Sequence, residues 1–317
     1  MIAVTGSTGQ VGGRIAARLA KLGVAQRLIV RDPSRAPHLP GAEVVQASSY
    51  GDAVAMGLAL AGIDKLFLVS AHDRFGILRN AALKKIAPPP YDRAQQQITA
   101  VDAAAAVGVR HIIYLSVINA AADATFILAP DHFRTEEHIR ALGVPFTFLR
   151  MNLYTDKVPE YVSAGDVIRA PAGGGRISWM TRDDLADVAV AILTGRGHEG
   201  RIYDVTGPEA LTIAETAERL SLVTGRKITY QPQTPHEART LRNTSRLDRF
   251  EAERRALTGS GLSDYEVEVF VTHFMQIATG EASNVSDTVP RLTGHPAQSL
   301  ADYLRQHPET YRHLLTL

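Results

Sequence analysis

Apolar runs of strand length alternate with helix-length amphipathic stretches through the first half of the chain, the pattern of a parallel sheet covered on both faces. The runs predict strands near Ile2–Thr5, Arg27–Val30, Glu43–Ala47, Lys65–Val69, His111–Ser116 and Pro145–Arg150, with helices between them at Val11–Leu22, Ala53–Leu60, Arg93–Val107 and His132–Leu142. Gly23, Gly62, Gly108 and Gly143 stand where these helices should end, as left-handed caps do. Phe75–Pro90 breaks the rhythm, because Pro88-Pro89-Pro90 cannot continue a helix and favours an extended spacer. A surface excursion after the fourth strand is expected there. Its place at the carboxyl edge of a doubly wound sheet leaves both a lid and a plain insertion open.

Past Arg150 the pattern loosens. Pro171–Gly175 reads as a turn, Arg176–Trp179 as a short strand, Arg182–Leu193 as a helix and Arg201–Val205 as a strand, all expected to return to the sheet. Helices dominate afterwards, at about Thr212–Val223, Pro235–Leu257, Asp264–Thr279 and Ser299–His307, with one strand at Lys227–Gln231. The fold class is therefore α/β, a doubly wound parallel sheet with a smaller, mainly helical C-terminal lobe. Residues 1–153 should form the first domain, with 176–206 returning to it, and 154–175 and 207–317 the lobe.

Composition narrows the partners. Over 317 residues, 34 lysines and arginines almost balance 33 aspartates and glutamates, so no net field draws the chain to nucleic acid or an anionic membrane. Arg239–Arg255 is rich in arginine, but Asp248, Glu251 and Glu253 interrupt it, as in a solvated helix laced with ion pairs. With no cysteine, disulfides, thiolate nucleophiles and cysteine-based zinc sites are all excluded, which fits a reducing compartment. No apolar run approaches the roughly 20 residues that span a bilayer, and Met1 enters a strand with no signal-like segment before it, so a cytoplasmic location is expected.

Candidate chemistry begins at Gly6-Ser7-Thr8-Gly9-Gln10-Val11-Gly12, a G-x-x-G-x-x-G turn that follows a strand directly and opens a helix. Backbone amides there can approach a pyrophosphate where no side chain obstructs, and the helix N-terminus adds partial positive charge. Gly6 allows the tight turn, Gly9 the close approach and Gly12 the packing of helix on strand. In that order of strand, loop, helix and strand the spacing predicts a dinucleotide site formed by Gly6, Thr8, Gly9, Gln10 and Val11. At the end of the second strand, where an acid would bind the 2′-hydroxyl of NAD(H), stand Arg31, Asp32 and Arg35. A guanidinium pairs with a 2′-phosphate through two hydrogen bonds, so Arg31 and Arg35 favour NADP(H). Asp32 keeps NAD(H) open, unless Asp32-Pro33 only starts a turn.

With these motifs, Tyr114-Leu115-Ser116, Pro145–Arg150, Asn152–Asp156 and Gly197–Tyr203, the sequence resembles the NmrA-like atypical short-chain dehydrogenase/reductases over roughly residues 1–206. Within that family it looks most similar to NADPH-dependent quinone oxidoreductases and triphenylmethane dye reductases. The resemblance implies a Rossmann domain, a small substrate lobe and hydride transfer without flavin to a quinone or similar electron-poor aromatic acceptor. It also admits a non-catalytic dinucleotide sensor, and a homodimer. Reduction of a carbon–carbon double bond is a third reading. The Tyr-x-x-x-Lys pair of the wider superfamily is missing; Asp131-His132-Phe133-Arg134-Thr135-Glu136 stands in its place. An acceptor that is already highly electrophilic tolerates that absence best.

The remaining candidates follow from position. Ser70, Ala71 and Ser116 end the fourth and fifth strands, at the ligand edge, where each can touch the cofactor, although Ser70 and Ser116 can equally cap a turn. Asn152 is a candidate for the nicotinamide carboxamide and Tyr154 for stacking on the acceptor, against turn-forming and packing roles. His132, taken to begin its helix facing the crevice, is a candidate proton donor, against a capping or solvent-facing role. His132, Glu136 and His138 do not share a helix face, so no metal is expected.

Overall fold

The computed structural model describes residues 1–70, 92–244 and 264–315, and these divide into two compact units. The first unit comprises Met1–Val117, Asp131–Met151 and Arg182–Asp204, and the second Ile118–Pro130, Asn152–Thr181 and the chain from Val205 onward. The excursion expected at Phe75–Pro90 lies outside the described residues, as does the Pro235–Leu257 helix beyond Thr244.

From the N-terminus run β1 (Ile2–Thr5), α1 (Gln10–Lys21), β2 (Gln26–Val30), β3 (Ala42–Gln46), α2 (Ala53–Leu60) and β4 (Lys65–Val69). They are followed by α3 (Arg93–Ala106), β5 (His111–Val117), α4 (Ala129–Ala141) and β6 (Phe146–Met151). After three short strands of the second unit, β7 (Val162–Ser163), β8 (Val167–Ala170) and β9 (Arg176–Ile177), come α5 (Arg182–Thr194) and β10 (Arg201–Val205).

The first unit is a seven-stranded sheet in the order β3-β2-β1-β4-β5-β6-β10, with parallel pairing from β3 through to β6. The order reverses between β1 and β4, and ligands of open α/β sheets bind at such a switch point, beyond the carboxyl ends of the strands. The central strands β1 and β5 are buried along their whole length, as parallel sheets require, whereas the edge strands β3 and β10 are partly exposed. Ala3, Leu66, Leu68, Ile112, Tyr114 and Phe148 pack with Met56 and Leu60 of α2 and Val101 and Ala104 of α3. Elsewhere α1 packs on α5, and the pair is tied by Arg18, which donates to Asp183 at 2.7 Å and to Asp187 at 2.7 Å.

The second unit continues with β11 (Leu211–Thr212), α6 (Ile213–Thr224), β12 (Thr229–Pro232), α7 (Pro235–Thr244), α8 (Asp264–Ala278), α9 (Thr288–Thr293), α10 (Leu300–Gln306) and α11 (Arg312–Leu315). Its core gathers Trp179, Leu220, Phe274, Ile277 and Leu304, and the Trp179 indole donates to Thr216 Oγ1 at 2.9 Å. Two sequence expectations are corrected here. The Arg176–Trp179 strand does not return to the main sheet: Ile177 pairs with Leu211 in a separate antiparallel ribbon, and only Arg182–Asp204 of 176–206 belongs with the first unit. The physical reason is burial, since Trp179 is only 2% exposed and fills the second core. Residues 118–130, expected in the first domain, belong to the second unit as well. In addition, β7 and β8 form an unforeseen hairpin, in which Asp166 takes a positive φ of 57° and accepts two hydrogen bonds from Arg226, at 2.9 and 2.8 Å.

Among the described residues no helix is long and apolar enough to cross a membrane, and no group of three or more acidic or histidine side chains is placed to hold a metal ion.

Candidate functional site

The turn between β1 and α1 is built by backbone fit. Gly6 has φ of +64°, a conformation that side chains disfavour, and Gly9 N donates to Gly6 O at 2.9 Å to close the turn. A Cβ on Gly12 would lie 2.4 Å from Gly6 O and 2.7 Å from Thr5 O, so only glycine lets α1 sit this close to the strand end. Thr5 Oγ1 accepts from Val69 N at 2.8 Å and donates to Phe67 O at 3.2 Å, which locks the ends of β1 and β4 together across the switch point.

Helices α2 and α3 each begin with a capping aspartate: Asp52 accepts from Ala55 N at 3.0 Å and Asp92 from Gln95 N at 2.9 Å. By contrast α1 begins at Gly9 with no side-chain cap and no acid in its first turn. Its leading N–H groups and the positive end of its dipole are presented to whatever occupies the turn. The Ser7 hydroxyl, buried in the same turn, has no hydrogen-bond partner among the described residues. An uncapped helix start, an orphaned hydroxyl and a cradle that a Cβ would fill are what a pyrophosphate needs, so the residues fit a dinucleotide. Thr8 and Gln10 are exposed at this turn, Val11 is buried beneath it, and Gln10 Oε1 accepts from Arg14 at 2.7 Å.

At the end of β2, Arg31 and Arg35 are both exposed. Asp32 between them caps the 3₁₀ turn Pro33–Arg35, accepting from Ser34 Oγ at 2.7 Å and from Ser34 N at 3.0 Å. Those two hydrogen bonds, with a smaller contribution from Arg35, hold its carboxyl below the usual range. The acid that kept NAD(H) open is thus engaged with its own turn.

Ser70 follows Val69, whose Cβ would lie 3.1 Å from a Cβ built on Gly6, and its Oγ accepts from Arg93 Nη2 at 2.8 Å. Ala71 lies outside the described residues. Ser116 is fully buried and donates to Glu136 Oε1 at 2.6 Å, which makes it part of an ionic cluster rather than an open edge. Glu136, also fully buried, receives Arg150 Nη2 at 2.6 Å and Nε at 3.0 Å, and Arg140 Nη2 at 3.2 Å.

His132 departs from expectation. Helix α4 starts at Ala129, not at His132, so the imidazole falls within the helix and is 1% exposed, neither capping nor facing solvent. It lies 2.8 Å from Arg93 Nη2 and 2.8 Å from Tyr114 Oη. Burial first, and the Arg93 charge second, push its pKa well below the ordinary histidine value, so it stays neutral. In the second unit, both amide donors of Asn152 are engaged, with Ser178 Oγ and Ala282 O at 2.8 Å each, and its Oδ1 accepts from Leu153 N at 2.9 Å, so the side chain is held by its own unit. Tyr154, half-buried, precedes the 3₁₀ helix Thr155–Tyr161.

Sequence reasoning missed Arg93 and gave Glu136 no role beyond a rejected metal set. A signal for Arg93 was present: it is a cation in the first turn of a helix, where the dipole disfavours it, and such a placement has a tertiary cause.

The fold and the glycine turn define a Rossmann-type dinucleotide-binding protein. A profile of an NAD(P)H-binding family matches residues 6–196, and the chain belongs to that family. It is 35% identical to the (4-alkanoyl-5-oxo-2,5-dihydrofuran-3-yl)methyl phosphate reductase of Streptomyces griseus, over 98% of this chain and 99% of that one. It is 32% identical to quinone oxidoreductase 2 of Escherichia coli, over 95% and 96% of the two chains. The structure of the triphenylmethane reductase of Citrobacter sp. complexed with NADP(H) superimposes with a TM-score of 0.76 at 29% identity, covering 96% of this chain and 99% of that one. NmrA, a negative transcriptional regulator, shares the fold with a TM-score of 0.73 at 16% identity, over 100% and 98% of the chains. The chain is an NAD(P)H-binding oxidoreductase with NmrA-like architecture.

Proposed function

We propose that this protein is an NADPH-dependent reductase that passes hydride, without flavin, to a quinone or a similar electron-poor aromatic acceptor. The observation that carries the cofactor half is the uncapped glycine turn beside two exposed arginines, Arg31 and Arg35, with Asp32 drawn back onto Ser34. Gly6, Gly9 and the first N–H groups of α1 would hold the pyrophosphate, Ser7 and Ser70 would supply hydroxyls, and the two arginines would pair with the 2′-phosphate. Bound NADPH supplies the hydride.

The acceptor half is supported by the names of the relatives, which act on quinones, triphenylmethane dyes and an oxo-dihydrofuran, each a conjugated electrophile. The chain offers no Tyr-x-x-x-Lys pair, and its buried His132 is neutral and held by Arg93 and Tyr114. An acceptor that takes hydride without prior protonation, and takes its proton afterwards from water, suits that arrangement. Tyr154 would stack on the acceptor. The lack of cysteine accords with a cytoplasmic location.

The test is NADPH oxidation, followed at its absorbance band, with a panel of quinones and cationic dyes. Turnover with at least one is expected. Tight NADPH binding with no turnover on any of them would overturn the reductase reading in favour of a dinucleotide sensor.

A further inference from the structure

The dinucleotide reading leaves one buried polar cluster of the first unit without a role: Arg93, Gln97, Tyr114 and His132, with Ser70 at its edge. Arg93 is 5% exposed at the start of α3, although burial of a cation is costly and the helix dipole opposes it there. Asp131 Oδ2 lies 3.8 Å from its Nη1. The Arg93 guanidinium is engaged by polar side chains of the same unit, Ser70 and His132, at 2.8 Å each.

The hydrogen bonds have a fixed direction. A guanidinium only donates, so Nη2 gives its two N–H groups to Ser70 Oγ and to His132 Nε2, each at 2.8 Å. His132 Nε2 is then the bare nitrogen, and Nδ1–H donates to Tyr114 Oη at 2.8 Å. Tyr114 donates onward to Gln97 Oε1 at 2.7 Å, and Gln97 Nε2 donates back to the carbonyl oxygen of Arg93 at 3.3 Å. The ring is closed, and it holds the guanidinium on Ser70.

We propose that Arg93 is a positioning residue for the dinucleotide and acts through Ser70. The guanidinium fixes the Ser70 oxygen as an acceptor, and the hydroxyl proton is thereby turned away from it, to donate to an oxygen of the bound nucleotide. Among the described residues that hydroxyl donates to none, and Ser70 follows Val69, the residue that lies against Gly6 of the glycine turn. The inference rests on the NADP(H) reading of that turn.

The experiment is an NADPH titration of the full chain, followed by nicotinamide fluorescence, across a double-mutant cycle, with melting of each free protein alongside. Ser70→Ala should weaken NADPH about fivefold to tenfold, and Arg93→Met by at least as much. The double variant should lose no more than about twofold beyond the weaker single. Arg93→Lys, which keeps a charged donor, should lose about threefold, and that loss should vanish in the Ser70→Ala background, so the cycle still decides if Arg93→Met does not fold. Losses that multiply, or an Arg93→Met protein that melts earlier but binds NADPH as the parent does, would overturn the proposal. Gly9→Asp separates the two levels. If it abolishes NADPH binding while Ser70→Ala has no effect, only the role of Arg93 falls; if it binds like the parent, the dinucleotide reading beneath it falls.

Discussion

Gly12 and Gly6 stand so close that a single carbon on the first would lie 2.4 Å from the carbonyl oxygen of the second. Gly12→Ala therefore forces α1 away from the strand end. A loss of about 2 kcal/mol in unfolding free energy is expected, typical of overpacking, together with weaker NADPH binding. Urea denaturation and fluorescence titration would measure the two effects.

Gly9→Asp should separate stability from binding. Gly9 is the N-cap of α1 and has φ of −102°; a Cβ there would lie 3.2 Å from Gly6 O, a tight contact that a small shift of the turn relieves, and an aspartate can then cap the helix. The free protein should melt at or slightly above the parent temperature while NADPH binding is lost, because a negative charge then fills the pyrophosphate space.

Arg31→Ala with Arg35→Ala should discriminate between cofactors. Charge-assisted bonds to a phosphate are worth roughly 1.5–3 kcal/mol, so NADPH should weaken about tenfold to a hundredfold and NADH should change little. Parallel titrations with the two nucleotides decide it, and equal losses for both would refute the 2′-phosphate assignment.

Glu136→Gln removes a fully buried carboxylate that receives Arg150, Arg140 and Ser116. Breaking such a pair typically costs 3–5 kcal/mol, about three times the loss expected for Ser116→Ala, which removes one hydrogen bond. Chemical denaturation of both variants would show whether the cluster holds the carboxyl edge of β5 and β6 together.

Stability should fall on acidification well above the carboxylate range. His132 is buried neutral, and His273 is pushed down to about 3 by burial and by the Arg242 charge. Their folded pKa values lie below the unfolded 6.5, so the unfolded chain binds the extra protons. Their contribution is complete above about pH 6.5 and is lost as pH falls towards the folded values, at about 1.4 kcal/mol per pH unit for each histidine. Denaturation series from pH 7 to pH 5 should show this slope, and His132→Gln should reduce it.

The glycine turn and the strand order around it were legible because their signals are local: a strand, three spaced glycines and an amphipathic helix between Ile2 and Lys21. Helix α4 starts at Ala129, three residues before the predicted His132, because Pro130 suits the first turn of a helix. That shift is why His132 was expected at the crevice and lies in the interior. Arg93, Glu136 and Trp179 gain their meaning from partners 20 to 39 residues away, such as Ser116, Thr216 and His132, and no periodicity reports such pairings. The β7–β8 hairpin escaped notice because a strand of two residues has no alternation to read.

The second unit draws on three separate stretches, Ile118–Pro130, Asn152–Thr181 and the chain from Val205 onward. No single cut liberates either unit as a contiguous fragment. During synthesis the Trp179 core cannot close until Phe274, Ile277 and Leu304 have emerged, long after the strands up to β6 have been made. A library of progressively shortened C-termini should accordingly show one abrupt loss of soluble protein when those residues are removed, and no stable halfway product.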